Sequence, residues 1–274
     1  SWSGASTGRP PWALHDVWGS SADDVWAGGS DSRALHWDGA AWTGTRLSSR
    51  SWDENRAVWG FGPDDVWVGS NVGIRGEMLH WDGTAWTSTV GMDGWSIDDV
   101  WGASPDDVWA VGHASSYHPE SRPLLHWDGT SWSAVPSASA DDYTASGVWG
   151  AASDDVYSTA GDVSGLIHWD GTNWAVVPGS GRDVFPSRLW GTAPDDIWGA
   201  VWGLVHSDGL EWTWVTRGSG HWFEAIWGAT PDDIWAIGSS SDSEATPVHW
   251  DGRAWTATTT SVAAAFEDIW GFGP

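Results

Sequence analysis

Cysteine and lysine are both absent from this 274-residue chain, and its permanent cations are limited to 11 arginines against 37 acidic groups. Without cysteine there is no disulfide framework, zinc finger, thiolate nucleophile or iron–sulfur ligand set. Without lysine there is no Schiff-base chemistry and no phosphate-gripping P-loop lysine. A formal charge of −26 repels phosphate backbones, which sets nucleic acid aside as a partner. Long apolar runs are missing as well. Nothing approaches the roughly 18 residues of a membrane-crossing helix, so a soluble chain without membrane insertion is expected. The sequence opens at Ser1 with no charged-then-apolar leader, as expected if an export signal has been removed or was never included.

What the chain does contain is tryptophan, 30 of them, with 14% aromatic and 41% hydrophobic residues overall. Disordered acidic chains are poor in aromatics, so this composition predicts a folded protein with a large core. A Trp-Gly pair recurs at Trp18, Trp59, Trp101, Trp149, Trp190, Trp227 and Trp270, spaced by 41, 42, 48, 41, 37 and 43 residues. After each of the first six pairs comes an Asp-Asp-apolar-aromatic segment such as Asp106-Asp107-Val108-Trp109. A third segment reads His-Trp-Asp-Gly in most repeats, and a fourth opens with Trp, as in His126-Trp127-Asp128-Gly129 followed by Trp132. Four short segments rich in Val, Ile and Trp, bounded by Gly, Asp, Ser or Pro, predict four antiparallel strands, a to d, in every period. Asp-Gly between c and d is a hairpin signal, and Ser104-Pro105-Asp106-Asp107 fits a tight a-to-b turn.

Such units, about 42 residues long with two fixed hairpins and two variable loops, predict an all-β fold, a β-propeller of four-stranded antiparallel blades. Residues 1–274 read as a single domain of six complete repeats plus terminal half-repeats. Strands a and d occur seven times and b and c six times, which favours seven blades with the last incomplete over six with overhanging termini. Alternation along strand b puts Trp26 on one face and Val25 and Ala27 on the other, so large and small faces of neighbouring blades should interlock.

The run from Val100-Trp101-Gly102 through Asp107-Val108-Trp109 resembles the Val-Trp-Gly, polar turn, Asp, Ile-Tyr core of tectonin repeats, and it recurs around Trp59 and Trp227. The likeness covers mainly strands a and b. The period here is longer, and the His-Trp-Asp-Gly hairpin is closer to those of other tryptophan-rich bacterial propellers. The resemblance implies a lectin-type propeller that binds sugars multivalently and is secreted or held at the cell surface.

Adjacent aspartates on a strand point to opposite faces, so the Asp-Asp pairs read as turn and capping residues rather than a catalytic or calcium site. The recurring His36, His80, His126, His168, His206 and His249 lie one per blade, and an aspartate of the neighbouring turn is the expected partner. The ligand-binding candidates are the aromatics that precede the Trp-Gly strands: Trp12, Trp52, Trp95, Tyr143, Phe185 and Trp222, with Phe266 less clear. They read either as plugs between blades or as exposed platforms on which a sugar ring stacks, with His15, Arg56, His221 and Asp53 as polar companions. The b-to-c loops add His113, Tyr117, His118 and Trp202.

No Gly-x-Ser-x-Gly elbow, His-Glu-x-x-His helix or dinucleotide fingerprint is present, so no enzyme, cofactor or metal is expected. The leading expectation is a multivalent carbohydrate-binding protein with shallow aromatic sites between blades and glycans as partners. The alternative is a protein-interaction scaffold or assembly subunit, with a protein partner or a second copy docking through the incomplete blade. A quaternary-ammonium-binding protein and a hydrolase rank lower.

Overall fold

Val, Ile and Trp alternate with small or polar residues through the repeated segments, and each of the four segments in the six complete repeats forms a strand, whereas the seventh Trp-Gly segment at Trp270 does not. The computed structural model describes residues 13–49, 53–72, 75–114, 124–136, 144–161, 165–180, 186–217, 221–240, 247–258 and 266–273. The first blade is β1 (Leu14–Ser21), β2 (Asp24–Gly29), β3 (Arg33–Trp37) and β4 (Trp42–Arg46). The second is β5 (Glu54–Gly62), β6 (Asp65–Val72), β7 (Arg75–Trp81) and β8 (Trp86–Asp93). The third is β9 (Trp95–Ser104), β10 (Asp107–Ala114), β11 (Leu124–Trp127) and β12 (Trp132–Ala134). The fourth is β13 (Val148–Ala152), β14 (Asp155–Ala160), β15 (Gly165–Trp169) and β16 (Trp174–Val176). The fifth is β17 (Arg188–Ala193), β18 (Asp196–Ala200), β19 (Gly203–Ser207) and β20 (Trp212–Arg217). The sixth is β21 (His221–Thr230), β22 (Asp233–Ser240), β23 (Val248–Trp250) and β24 (Trp255–Ala257).

Each blade is an antiparallel meander in one shared register, with Trp18 opposite Trp26, Trp101 opposite Trp109 and Trp227 opposite Trp235. Blades two and three are joined by a single parallel bridge between Arg75 and Trp95. The fold is therefore an all-β propeller. No helix among the described residues is long and apolar enough to cross a membrane.

The Asp-Asp turn and the His-Trp-Asp-Gly hairpin lock together within each blade. The second aspartate takes the histidine, with Nε2 to Oδ1 distances of 2.7 Å for His36–Asp24, 2.6 Å for His126–Asp107 and 2.6 Å for His249–Asp233. The imidazole also stacks on the strand-b aromatic, at 4.1 Å for Trp26–His36 and 4.3 Å for Trp109–His126. The first aspartate packs under the hairpin glycine, and Gly129, at φ +86°, has Asp106 directly beneath it. In the same hairpin the Thr130 hydroxyl and the N–H groups of Ser131 and Thr130 hold the Asp128 carboxyl down at about 2. The indole N–H of Trp127 then donates to the Pro105 carbonyl at 3.2 Å, tying the two turns to each other.

Between blades, the strand-b tryptophan of one meets two tryptophans of the next. Trp109 lies 5.3 Å from Trp169 and 5.2 Å from Trp174, the second contact edge-on at 87°. Trp26 meets Trp81 and Trp86, and Trp67 meets Trp127 and Trp132, in the same way. Nearer the axis, Trp18, Trp101, Trp149, Trp190 and Trp227 each rest against the Trp-Gly glycine of the following segment, and this contact explains the dipeptide there. A Cβ on Gly150 would stand 2.6 Å from Trp101 and 3.0 Å from the Asp155 carbonyl. We expect Gly150→Ala to cost about 2 kcal/mol, an overpacking penalty. Gly62→Ala, which meets nothing within 4 Å, should stay within about 0.5 kcal/mol of the parent. Urea unfolding of the two variants checks the comparison.

The ring closes through residues 266–273. Trp270 stands 6.4 Å from Trp227 of the sixth blade and 6.3 Å from Trp18 of the first, matching the 6.3 Å step from Trp59 to Trp101. The Trp270 indole N–H donates to the Gly19 carbonyl at 3.0 Å. Phe272 covers Gly19 as Phe61 covers Gly102. Six complete blades and this seventh innermost segment surround one axis.

Candidate functional site

The innermost strands bring a different residue to the axis from every blade. Two places before each ring tryptophan stand Asp16, Ala57, Asp99, Gly147, Arg188, Ala225 and Asp268. Three places before it stand His15, Arg56, Asp98, Ser146, Ser187, Glu224 and Glu267. Asp16, Asp99, Arg188, Ala225 and Asp268 of the first set line an axial well of about 140 Å³, together with the aliphatic residue that precedes each tryptophan and six of the seven tryptophans themselves. The second set, with His113 and Arg188, lines a wider vestibule of about 410 Å³ that opens above it.

The carboxylates of the well tie neighbouring blades. Asp16 accepts from the Val58 N–H at 2.5 Å, Asp99 from Val148 at 2.9 Å and Asp268 from Val17 at 2.9 Å, each reaching the next segment around the ring. Burial lifts Asp99 to about 6 against the pull of Arg188 and the backbone N–H groups of Val148 and Val100. Burial, together with the Asp268 charge and a hydrogen bond shared with Asp268, raises Asp16 well above the carboxylate range. Burial alone would pull the Arg188 guanidinium down, but Asp99, Asp16 and Asp268 outweigh it and hold it above its ordinary value. Arg188 also donates to the Ser146 carbonyl at 2.7 Å. Among the described residues it is the one cation lining the well, together with three carboxylates.

In the vestibule the charges are sorted by side. Arg56 pairs with Glu54 at 2.6 Å and stands 3.9 Å from Asp98, whose other oxygen lies 2.5 Å from His113. The hydrogen bond to Asp98 raises the His113 pKa. His15, 3.2 Å from the Ser30 hydroxyl, has its pKa lowered by burial. Across the opening stand Glu224 and Glu267, and burial and then the Glu267 charge raise Glu224. Neither glutamate makes an ion pair among the described residues. Two residues before Glu224 on β21, Trp222 is 44% exposed and its ring lies 5.0 Å from that of Trp202, which is 65% exposed. The Val201 carbonyl accepts the Phe223 N–H at 2.9 Å and joins the two carriers of this pair.

The sequence-derived candidates meet different fates. His15 and Arg56 come together in the vestibule, and Trp222 forms an exposed inter-blade platform with Trp202. Trp95 is a correction. It is 1% exposed and packed with Trp67, Met78 and Ile97, because β9 starts at Trp95 itself and carries the ring into the second and third blades. Asp53 is also a correction. It is fully buried, accepts from the Ser48 hydroxyl at 2.5 Å, and offers its carbonyl to the Ser32 N–H, so it ties a loop from inside the fold and is not an exposed companion of a surface aromatic. Trp12, Trp52, Tyr143 and Phe185 lie outside the described residues, as do Tyr117, His118 and the side chain of His221. Sequence reasoning missed Asp16, Asp98, Asp99, Arg188, Glu267 and Asp268. Their signal was the charge variation two and three places before each Trp-Gly pair.

No family model matches the chain, and no curated protein matches it. Solved structures do. A structure described as YCF48 bound to D1 peptide aligns at TM-score 0.68 and 15% identity, covering 96% of this chain and 91% of that one. YCF48 from Cyanidioschyzon merolae aligns at 0.67 and 15%, over 97% and 91%. The WD40 β-propeller domain of Doa1 aligns at 0.69 and 11%, over 94% and 86%. At these identities the likeness shows the propeller fold alone.

Proposed function

We propose that this chain is a non-enzymatic protein-interaction module that docks a segment of a partner protein on the ring face where the axial well opens. The observation that carries the reading is the grouping on that face of the exposed Trp202–Trp222 pair with the charged vestibule beside it. An apolar anchor beside fixed charges is the composition of an interaction hot spot. The peptide-bound YCF48 structure, with the same fold, supports a peptide as ligand class.

The test is selection of a random-peptide display library on the folded chain, followed by titration of the enriched peptide. Trp202→Ser combined with Trp222→Ser should weaken that peptide about tenfold or more, the range for an aromatic hot spot. Failure to enrich any peptide, or binding indifferent to the double substitution, overturns the reading.

A carbohydrate site is the second reading, and the same tryptophan pair favours it, since a sugar ring stacks on an exposed indole. A glycan array read with the parent and the double variant separates the two. Loss of one sugar class in the variant supports a lectin.

A further inference from the structure

We propose that the vestibule receives a single lysine or arginine side chain from the docked segment, with its cationic head between Glu224 and Glu267 and its aliphatic stem toward the Trp222 rim. The inference rests on the interaction reading above and names the chemistry of the residue the partner must present.

Charge matching around the opening carries the argument. Asp98 is answered by Arg56 and His113. Asp16, Asp99 and Asp268 surround Arg188. His15, its pKa depressed by burial, supplies no charge near neutral pH. Glu224 and Glu267, on adjacent segments of the ring, are vestibule carboxylates without an ion pair among the described residues; Arg188 pulls the Glu224 pKa down, but burial and the Glu267 charge outweigh it. A cation between them relieves that repulsion, whereas an anion or an apolar group does not. The vestibule gives the cation a recessed but open place beside the half-buried Glu224 and the exposed Glu267. Trp222, two residues before Glu224 on β21, pairs with Trp202 and offers aromatic faces to the stem and to the head group of the entering chain. The overall charge of −26 adds long-range attraction for a cationic partner.

The small probes are Nα-acetyl-lysine methylamide and Nα-acetyl-arginine methylamide, with Nα-acetyl-norleucine methylamide as the uncharged control, each titrated into the intact chain by NMR. Binding by either cationic amide is expected, with little by norleucine. Weakening of about tenfold is expected in Glu224→Gln/Glu267→Gln, along with a loss of affinity as salt rises. Equal binding of norleucine, no binding of any amide, or an affinity untouched by the glutamate substitutions overturns the proposal. Urea unfolding of the variant confirms that it is folded.

A second arm uses the library-selected peptide, with each lysine or arginine replaced in turn by norleucine. Loss at one position supports a partner side chain as the source. If the amides bind and no peptide does, the site takes a free amine, and the partner assignment falls together with the interaction reading. If a peptide binds without needing any cation, the interaction reading stands and the cation site falls.

Discussion

Trp109→Ala should be among the most destabilising single substitutions in the chain, at about 4 kcal/mol, with a fall in melting temperature of about 10 °C. The side chain has no exposed surface. It stacks on His126 within its own blade at 4.3 Å and meets Trp169 and Trp174 of the next at 5.3 and 5.2 Å. Truncation therefore opens a cavity at the seam between two blades and also strips support from the His126–Asp107 pair. Rigid tryptophans on both sides give the cavity little means to collapse, which places the cost toward the upper end of the range for such changes. Trp37→Ala is the comparison. Trp37 makes the in-blade contact with Trp42 at 5.9 Å and one hydrogen bond to the Ala22 carbonyl, and its loss should cost about 1 kcal/mol. Equilibrium urea unfolding reads both. A deficit for Trp109→Ala no larger than that for Trp37→Ala would remove the inter-blade tryptophan seam as the main source of stability.

What the sequence made legible was whatever repeats. The Trp-Gly period, the Asp-Gly hairpins and the alternation in strand b are local patterns with local causes, and the blades follow from them. The histidine–aspartate pairing was legible too, because both partners recur at fixed places in one blade. The axial site stayed hidden because it is the part that does not repeat. Asp16, Ala57, Asp99, Gly147 and Arg188 occupy equivalent positions with unlike chemistry, so comparing repeats averages their charges away. Their meeting also depends on closure of the ring, which puts the Asp268 carboxylate on the Val17 N–H from 251 residues away. Trp95 misled for a related reason. An aromatic between repeats looks like a loop residue until β9 is seen to begin there, and strand length is set by the neighbouring blade rather than by the residues alone.

Replacing Arg188 by methionine should destabilise the ring by about 3 kcal/mol near pH 7.5 and by only about 1 kcal/mol near pH 5. Methionine keeps much of the length and apolar stem, so the loss is chiefly one of charge. At neutral pH the variant leaves Asp16, Asp99 and Asp268 without the cation they surround, and an uncompensated enclosed charge is costly. The sign follows from the carboxyl groups. Asp99 is already raised to about 6 with Arg188 present, and Asp16 is raised well above its ordinary value. A carboxyl that is harder to ionise folded than unfolded contributes stability that is full below its unfolded pKa and is lost as pH climbs through its folded one. Removing Arg188 raises those folded values further, so the variant loses stability over a wider span of rising pH than the parent. Near pH 5, below its value of about 6, Asp99 largely carries a proton and needs no guanidinium, and the residual cost is chiefly that of the lost bond to the Ser146 carbonyl. Comparing variant with parent at each pH cancels the histidine–aspartate pairs, which both share. A second variant, Arg188→Met with Asp99→Asn, removes one of the stranded charges and should recover part of the neutral-pH loss. An equal deficit at both pH values would mean that Arg188 acts through packing and its carbonyl bond, and that the charge balance of the well is not what holds the innermost strands together.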